Sequence, residues 1–209
     1  MINKTCSDFI NELGSSAPVP GGGSAAALVG ALGIALGTMA NELTSGKKKY
    51  AAKQAEIEKL IERSKELTEK MKAAVEADVT AFEPLAAAYR LPNGTEEEKK
   101  ARSEAVQAGL PEAAKAPLEL MKLSVESLKV LRECAAIENM LVISDVGTGA
   151  AFCEAALRGA RLNVLTNLRL MNDASVREDF NGKMTAIYSE GMKTAAETYD
   201  LVADKLSRS

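Results

Sequence analysis

A run of prolines and glycines precedes the most apolar segment of the chain. It reads Ser15-Ser16-Ala17-Pro18-Val19-Pro20-Gly21-Gly22-Gly23-Ser24. Prolines hold the approach extended, and glycines let the backbone pass close to another group. A loop that leads into a helix leaves N–H groups free to meet an anion or the polar edge of a ring. The run fits neither a Walker A motif nor a dinucleotide fingerprint, so a small-molecule site and tight helix packing both stay open.

Asp78 interrupts the apolar stripe of a long helical segment. Ile57, Ser64, Met71, Asp78 and Leu85 recur there every seven residues, so Asp78 lies on the same side of the helix as the apolar members of the series. A carboxylate without a partner is costly to bury. Asp78 is therefore either an acid–base group or a structural residue that caps a helix or pairs with a lysine or arginine.

Other polar residues also lie in apolar surroundings. Asp145 is the lone charge in the run from Asn139 to Cys153. Asn163 and Asn167 share one helix face because they are four residues apart. Two carboxamides on one face can hold a flat heterocycle, or they can satisfy nearby backbone groups.

Three lysines, Lys47, Lys48 and Lys49, follow the apolar segment. The helix dipole favours lysine at a helix C-terminus. Three adjacent cations beside a binding site can also attract a polyanionic tail, so both interpretations remain open.

The composition excludes several classes of function. The chain has no histidine, which rules out histidine acid–base chemistry and argues against a zinc site. The net charge of −3 does not favour nucleic-acid binding. The three cysteines lack a CxxC pair, so we expect free thiols in a reducing cytoplasm. We expect no signal peptide, because the N-terminus lacks a basic region followed by an apolar core.

The apolar segment from Ser24 to Ala40 is short for a membrane span and rich in glycine and alanine. We therefore expect a buried central helix from Ser24 to about Thr44 and no membrane contact. Gly30, Gly33 and Gly37 share roughly one face of it, which indicates a tight helix crossing or a dimer seam.

Strand patterns are almost absent, and we predict a single all-α domain over residues 1–209, a bundle of about six or more helices. Thr95 and Glu98 form a capping box, and Asp173 has the position of an N-cap. Prolines are expected to bend or end helices. The predicted helices are Thr5–Leu13, Ser24–Thr44, Lys49–Arg90 with a bend or early end at Pro84, Glu96–Arg132 broken at Pro111 and Pro117, Asn139–Arg158 with an extension to Leu170, and Asp173–Leu206.

Together, several sequence segments resemble the cyclodeaminase/cyclohydrolase family of folate enzymes. This family includes the C-terminal domain of formiminotransferase-cyclodeaminase and the bacterial methenyltetrahydrofolate cyclohydrolases. The resemblance covers nearly the whole chain. The segments that carry it are Ala17–Ser24, Leu43–Tyr50, Asp78–Phe82, Leu91–Lys99, Ser144-Asp145 and Asn163–Leu168.

The resemblance implies an all-α homodimer that binds a tetrahydrofolate derivative near the subunit interface. The loop from Pro20 to Ser24 would line the pocket, and Asp78 matches the catalytic acid of the family. Polar groups expected near the substrate are Asn139, Asp145, Asn163 and Asn167, and Lys47 and Lys48 would hold the glutamate tail.

Two reactions of this family fit the residues. The favoured one is hydrolysis of 5,10-methenyltetrahydrofolate to 10-formyltetrahydrofolate. The alternative is conversion of 5-formiminotetrahydrofolate to 5,10-methenyltetrahydrofolate and ammonia, with substrate from a separate formiminotransferase. Neither reaction needs a metal or a redox cofactor. A third interpretation is a non-catalytic helical dimer that binds folate or a folate enzyme.

Overall fold

The chain folds into long helices, as predicted. The computed structural model describes residues 1–137 and 139–208, and in them it contains six α-helices, one 3-10 helix and no strand. The helices are α1 (Cys6–Leu13), α2 (Gly22–Glu42), the 3-10 helix (Lys48–Lys53), α3 (Gln54–Tyr89), α4 (Glu96–Ile137), α5 (Ile143–Leu170) and α6 (Ala174–Ser207).

The two capped helix starts expected from the sequence are confirmed, whereas α3 begins at Gln54 and α5 at Ile143, later than the expected Lys49 and Asn139. Thr95 Oγ1 accepts the N–H of Glu98 at 3.1 Å, and Glu98 Oε2 accepts the N–H of Thr95 at 3.0 Å. Asp173 Oδ1 accepts the N–H of Val176 at 3.1 Å. These side chains satisfy N–H groups that have no partner in the first turn of a helix.

The prediction that Pro111 and Pro117 break the fourth helix into pieces is wrong. Both prolines lie inside α4, which runs unbroken from Glu96 to Ile137, and Pro84 likewise lies inside α3. A proline inside a helix removes one backbone hydrogen bond. Helix α4 contributes a long series of buried side chains to the core, and burial of this size outweighs the loss of single hydrogen bonds.

Helix α2 lies between α3 and α5, with α4 behind it. A Cβ atom on Gly33 would lie 2.7 Å from the carbonyl oxygen of Gly149, so the α2 and α5 backbones meet here. Gly30 faces Met71 of α3, and Gly37 faces Leu131 of α4. The tight crossing is thus confirmed. The alternative of a dimer seam is wrong for these glycines, because they face helices of their own chain.

By length and composition alone, α2 could also cross a membrane. Of its most apolar window, 56% is buried inside the structure. The inner side of α2 is therefore part of the protein core, as the sequence predicts, and its outer side remains exposed.

The crossing of α2 and α5 can be tested by adding one methyl group. We expect Gly33→Ala to lower the free energy of unfolding by about 1–3 kcal/mol, because its Cβ would collide with a backbone oxygen. Gly182→Ala is the matched control, since nothing lies within 4 Å of that position on α6. It should raise stability by about 0.5–1 kcal/mol. Urea unfolding followed by circular dichroism measures both, and equal effects would contradict the close approach.

Candidate active site

The glycine run forms the start of α2, and a carboxylate from α3 caps it. The N-cap residue is Gly21, which has no side chain to accept a hydrogen bond. Asp78 Oδ2 instead accepts the N–H of Ser24 at 2.9 Å and its hydroxyl group at 3.0 Å. A negative group is stabilised at a helix N-terminus. Asp78 therefore anchors the first turn of α2 from a neighbouring helix.

Gly23 makes this contact possible. A Cβ atom at this position would lie 2.0 Å from Asp78 Oδ1, a distance that no real side chain could occupy. The carboxylate thus rests directly on the backbone of α2. At Gly23 the glycine run serves close packing, and the group packed against it is the one that the sequence singles out for chemistry.

The Asp78 carboxylate is half-buried, and its Oδ1 atom lies against the backbone of Gly23. Oδ1 accepts no hydrogen bond, and neither oxygen takes part in an ion pair, within the described part of the chain. Of the structural alternatives, the capping role is confirmed, and no pairing with lysine or arginine is found in the same residues. A carboxylate held by one oxygen can accept a proton at the other.

Asn163 lies beside the same helix start, next to Gly22. A Cβ atom on Gly22 would lie 3.9 Å from its Nδ2 atom and 4.0 Å from its Oδ1 atom. Nδ2 donates to the carbonyl of Gly159 at 3.1 Å. Asp78 on α3 and Asn163 on α5 therefore flank the start of α2. We call Pro20–Ser24, Asp78 and Asn163 the glycine-loop site.

Phe82 is not among the site residues expected from the sequence. This residue follows Asp78 by four positions on α3, so it lies on the same helix face, and its side chain is 37% exposed. An exposed aromatic ring beside a carboxylate can pack against a flat heterocycle. The spacing from Asp78 was the signal that could have identified it.

Asn167 has a structural role. Pro117 has no N–H to donate to the carbonyl of Ala113, four residues earlier in α4. Asn167 Nδ2 donates to that carbonyl at 3.4 Å, and also to the carbonyl of Asn163 at 3.0 Å. The alternative in which the carboxamide satisfies backbone groups therefore describes Asn167, one turn from the glycine-loop site.

The other four predicted site residues lie at the far end of α2. Lys47 and Lys48 follow its C-terminus, and a helix of 21 residues is about 31 Å long. Asp145 lies in the first turn of α5, about 27 Å along that helix from Asn163. The expectation that the lysines lie beside the loop is wrong within one chain, because α2 separates them.

Asn139 belongs to a buried polar cluster at this far end. Its Nδ2 atom donates to Thr44 Oγ1 at 2.6 Å, and Asn41 Nδ2 donates to Cys134 Sγ at 2.8 Å. The cluster borders a cavity of about 10 Å³, which is room for one water molecule. No folate fits there, so Asn139 holds the connection between α4 and α5.

Two of the three cysteines, Cys134 and Cys153, are buried. Burial raises the pKa of the Cys134 thiol to about 11 and that of Cys153 to about 12. Thiols with these pKa values stay protonated at neutral pH and are poor nucleophiles.

In residues 1–137 and 139–208, no group of three or more His, Cys, Asp or Glu side chains could hold a metal ion.

Comparison with known proteins points to one family. A family model described as formiminotransferase-cyclodeaminase matches residues 5–186. A methenyltetrahydrofolate cyclohydrolase of Methylorubrum extorquens is 36% identical over 205 residues, which cover 98% of this chain and 99% of that protein. A crystal structure of formiminotetrahydrofolate cyclodeaminase from Thermotoga maritima has a TM-score of 0.82 and 27% identity, covering 98% of this chain and 96% of that one.

Longer relatives match as well. The formimidoyltransferase-cyclodeaminase of Rattus norvegicus is 32% identical over 196 residues. The match covers 94% of this chain but 36% of that protein. This chain therefore spans about a third of the length of that relative.

The cysteine environments predict a selective labelling pattern. With Ellman's reagent at pH 8, we expect one thiol to react in the folded protein, because Cys6 is exposed whereas Cys134 and Cys153 are buried and stay protonated. All three thiols should react in denaturant. Cys6→Ser should abolish the native reaction, and rapid labelling that persists in this variant would contradict the assignment.

The hydrogen bond from Asn167 to the carbonyl of Ala113 predicts that substitutions at Asn167 and Pro117 have coupled effects on the free energy of unfolding. Asn167→Ala should lower the free energy of unfolding by about 1–3 kcal/mol, because the carbonyl of Ala113 loses its donor. The loss should shrink in a Pro117→Ala background, where the N–H restored at position 117 can bond to this carbonyl. A double-mutant cycle by urea unfolding measures the coupling, and additive effects would exclude this role.

Proposed function

This chain belongs to the formiminotransferase-cyclodeaminase family, and from that premise we propose that it hydrolyses 5,10-methenyltetrahydrofolate to 10-formyltetrahydrofolate. The observation that carries the proposal is the Asp78 carboxylate at the start of α2, with Oδ2 bound to Ser24 and Oδ1 without a hydrogen-bond partner among the described residues. The choice of reaction rests on the cyclohydrolase of M. extorquens, which matches over almost the full length of both proteins.

The chemistry needs one group that accepts a proton and later returns one. The substrate is an amidinium cation whose bridging carbon is attacked by water. As the new C–O bond forms, Asp78 Oδ1 takes a proton from that water. As the bond between the bridging carbon and N5 breaks, Asp78 donates the proton to N5, and the proton left on the new oxygen goes to solvent. The formyl group remains on N10.

The surroundings of Asp78 support this role electrostatically. A fixed carboxylate stabilises a neighbouring cationic carbon more effectively than mobile water does. The N–H groups of Gly22 and Gly23 lie in the first turn of α2 and have no backbone partner among the described residues. They can donate to acceptor atoms of the substrate, and the free Oδ1 atom of Asn163 can accept from its ring nitrogens.

A second candidate is the cyclodeaminase reaction, favoured by the structural likeness to the enzyme of T. maritima. In this reaction, N10 of 5-formiminotetrahydrofolate attacks the formimino carbon. With the formimino nitrogen already protonated by solvent, Asp78 would accept the proton from N10 and donate it to the amino group, which leaves as ammonia while the positive charge stays on the methenyl bridge. The substrate would come from a separate formiminotransferase.

We further propose that the protein acts as a cytoplasmic homodimer that needs neither metal nor redox cofactor. The interpretation as a non-catalytic helical dimer predicts that Asp78 pairs with a basic side chain and faces no cavity. The described residues contain no such pair, which favours the enzyme.

Asp78→Asn should reduce turnover by at least about 100-fold, because an amide cannot accept and return a proton. Loss of the methenyl absorbance without ammonia release measures hydrolysis, whereas its appearance from 5-formiminotetrahydrofolate with ammonia measures deamination. Glu76→Gln on the same helix is the control, since Glu76 binds the N-terminal amine and should leave turnover unchanged. Full activity of Asp78→Asn with an intact helical spectrum would refute the catalytic assignment.

A further inference from the structure

A groove between α5 and α6 lies outside the candidate active site. Its volume is about 340 Å³, which is within the range of small-molecule pockets. The last turns of α5 and the first turns of α6 line it, with Leu165, Leu168, Arg169, Arg177, Glu178 and Asn181. Leu165 and Asn163 are two residues apart in α5, so their side chains leave nearly opposite sides of this helix. The groove is therefore separate from the glycine-loop site.

The groove carries cations that no carboxylate of the described chain neutralises. Several other cations of these two helices have such a partner; the pairs are Arg158 with Glu154, Lys183 with Asp179 and Lys193 with Glu197. Arg169 and Arg177 line the groove and form no ion pair within residues 1–137 and 139–208. Arg161 forms none in the same ranges, and it lies one turn before Leu165 on the same side of α5. Positive charge is therefore concentrated along this groove.

Neutral groups hold two of these arginines in place. Arg177 Nη1 donates to the carbonyl of Met171 at 3.3 Å. The guanidinium of Arg161 lies over the ring of Tyr188, 4.3 Å from its centroid, and its Nε atom is buried without a hydrogen-bond partner among the described residues. A carbonyl and an aromatic ring orient a guanidinium without cancelling its charge. Cations that are already oriented lose less conformational freedom when an anion binds.

The other lining residues fit an organic anion better than a bare ion. Leu165 and Leu168 form an apolar floor. The carboxamide of Asn181 can donate to and accept from the edge of a heterocycle. Glu178 has no ion-pair partner in the described part of the chain and can accept from hydroxyl groups. Since two cations and one anion line the groove, its charge remains positive.

We propose that this groove binds a purine nucleoside monophosphate. Arg169 and Arg177 bind the phosphate from opposite helices, as arginine side chains do in many phosphate sites. The purine ring lies on Leu165 and Leu168 with Asn181 at its edge, and Glu178 accepts from the ribose hydroxyl groups. Arg161 lies about 12 Å along α5 from Arg169, so a nucleotide fits lengthwise between them. The proposal does not depend on the reaction at Asp78.

Binding is tested by calorimetric titration of the full chain with adenosine 5′-monophosphate (AMP). One site per chain with a Kd below about 1 mM is expected. Arg169→Ala should weaken binding about tenfold or more, because the phosphate loses a charge-assisted contact. Lys183→Ala is the matched control, since it removes an α6 cation that Asp179 already neutralises, and it should bind AMP like the wild type. Lack of saturable binding, or wild-type affinity in Arg169→Ala, would overturn the proposal.

Fragments of the ligand show which part of it is recognised. Adenosine and ribose 5-phosphate should each bind at least about tenfold more weakly than AMP, because each lacks one set of contacts. Asn181→Ala should weaken AMP binding and leave ribose 5-phosphate binding unchanged, since only AMP carries the purine. If ribose 5-phosphate or inorganic phosphate binds as tightly as AMP, the groove is a general anion site and the nucleotide assignment is wrong.

A competition experiment tests whether the two sites are separate. The affinity for AMP should be the same with and without saturating 10-formyltetrahydrofolate, because the groove and the glycine-loop site lie on different sides of α5. Displacement of AMP by this folate would place the nucleotide in the folate site and refute the inference. If AMP binds as expected but the protein turns over neither folate substrate, the proposed function fails and the nucleotide site stands.

Discussion

The contact between Asp78 and Ser24 joins the start of α2 to the middle of α3, and the candidate site depends on it. One oxygen of the carboxylate accepts both donors of Ser24. The contact requires a residue without a Cβ atom at Gly23, where any side chain would collide with the carboxylate. A stabilising cap and a group suited to proton transfer are therefore the same side chain. Its bound oxygen supports the fold, and under the proposed function its other oxygen carries the proton.

A second close approach sets the position of α5. The backbones of α2 and α5 meet at Gly33 and Gly149, and this crossing fixes how far each helix extends beyond it. As a result, Asn163 lies beside Gly22, next to the position where Asp78 meets Gly23. The small residues of α2 thus have two effects. They allow neighbouring helices to approach on the inner side, and they bring polar groups from α3 and α5 together at the helix start.

The length of α2 separates the remaining polar residues from this site. Asn139 and Thr44 tie the connection before α5 to the end of α2, whereas Lys47 and Lys48 remain exposed there. A single rigid helix about 31 Å long cannot bring its two ends to one ligand.

The sequence alone determined the helical class, the capped starts at Thr95 and Asp173, and the importance of Asp78 and the glycine run, because these follow from local spacing and side-chain chemistry. The resemblance to the family added the expected substrate. The sequence did not determine that α4 continues through Pro111 and Pro117, since packing against other helices outweighs a local break. It also could not show that Asn167 satisfies a carbonyl of α4, or that Asn163 lies beside Gly22. Those facts depend on which helices become neighbours, and only the tertiary structure decides that.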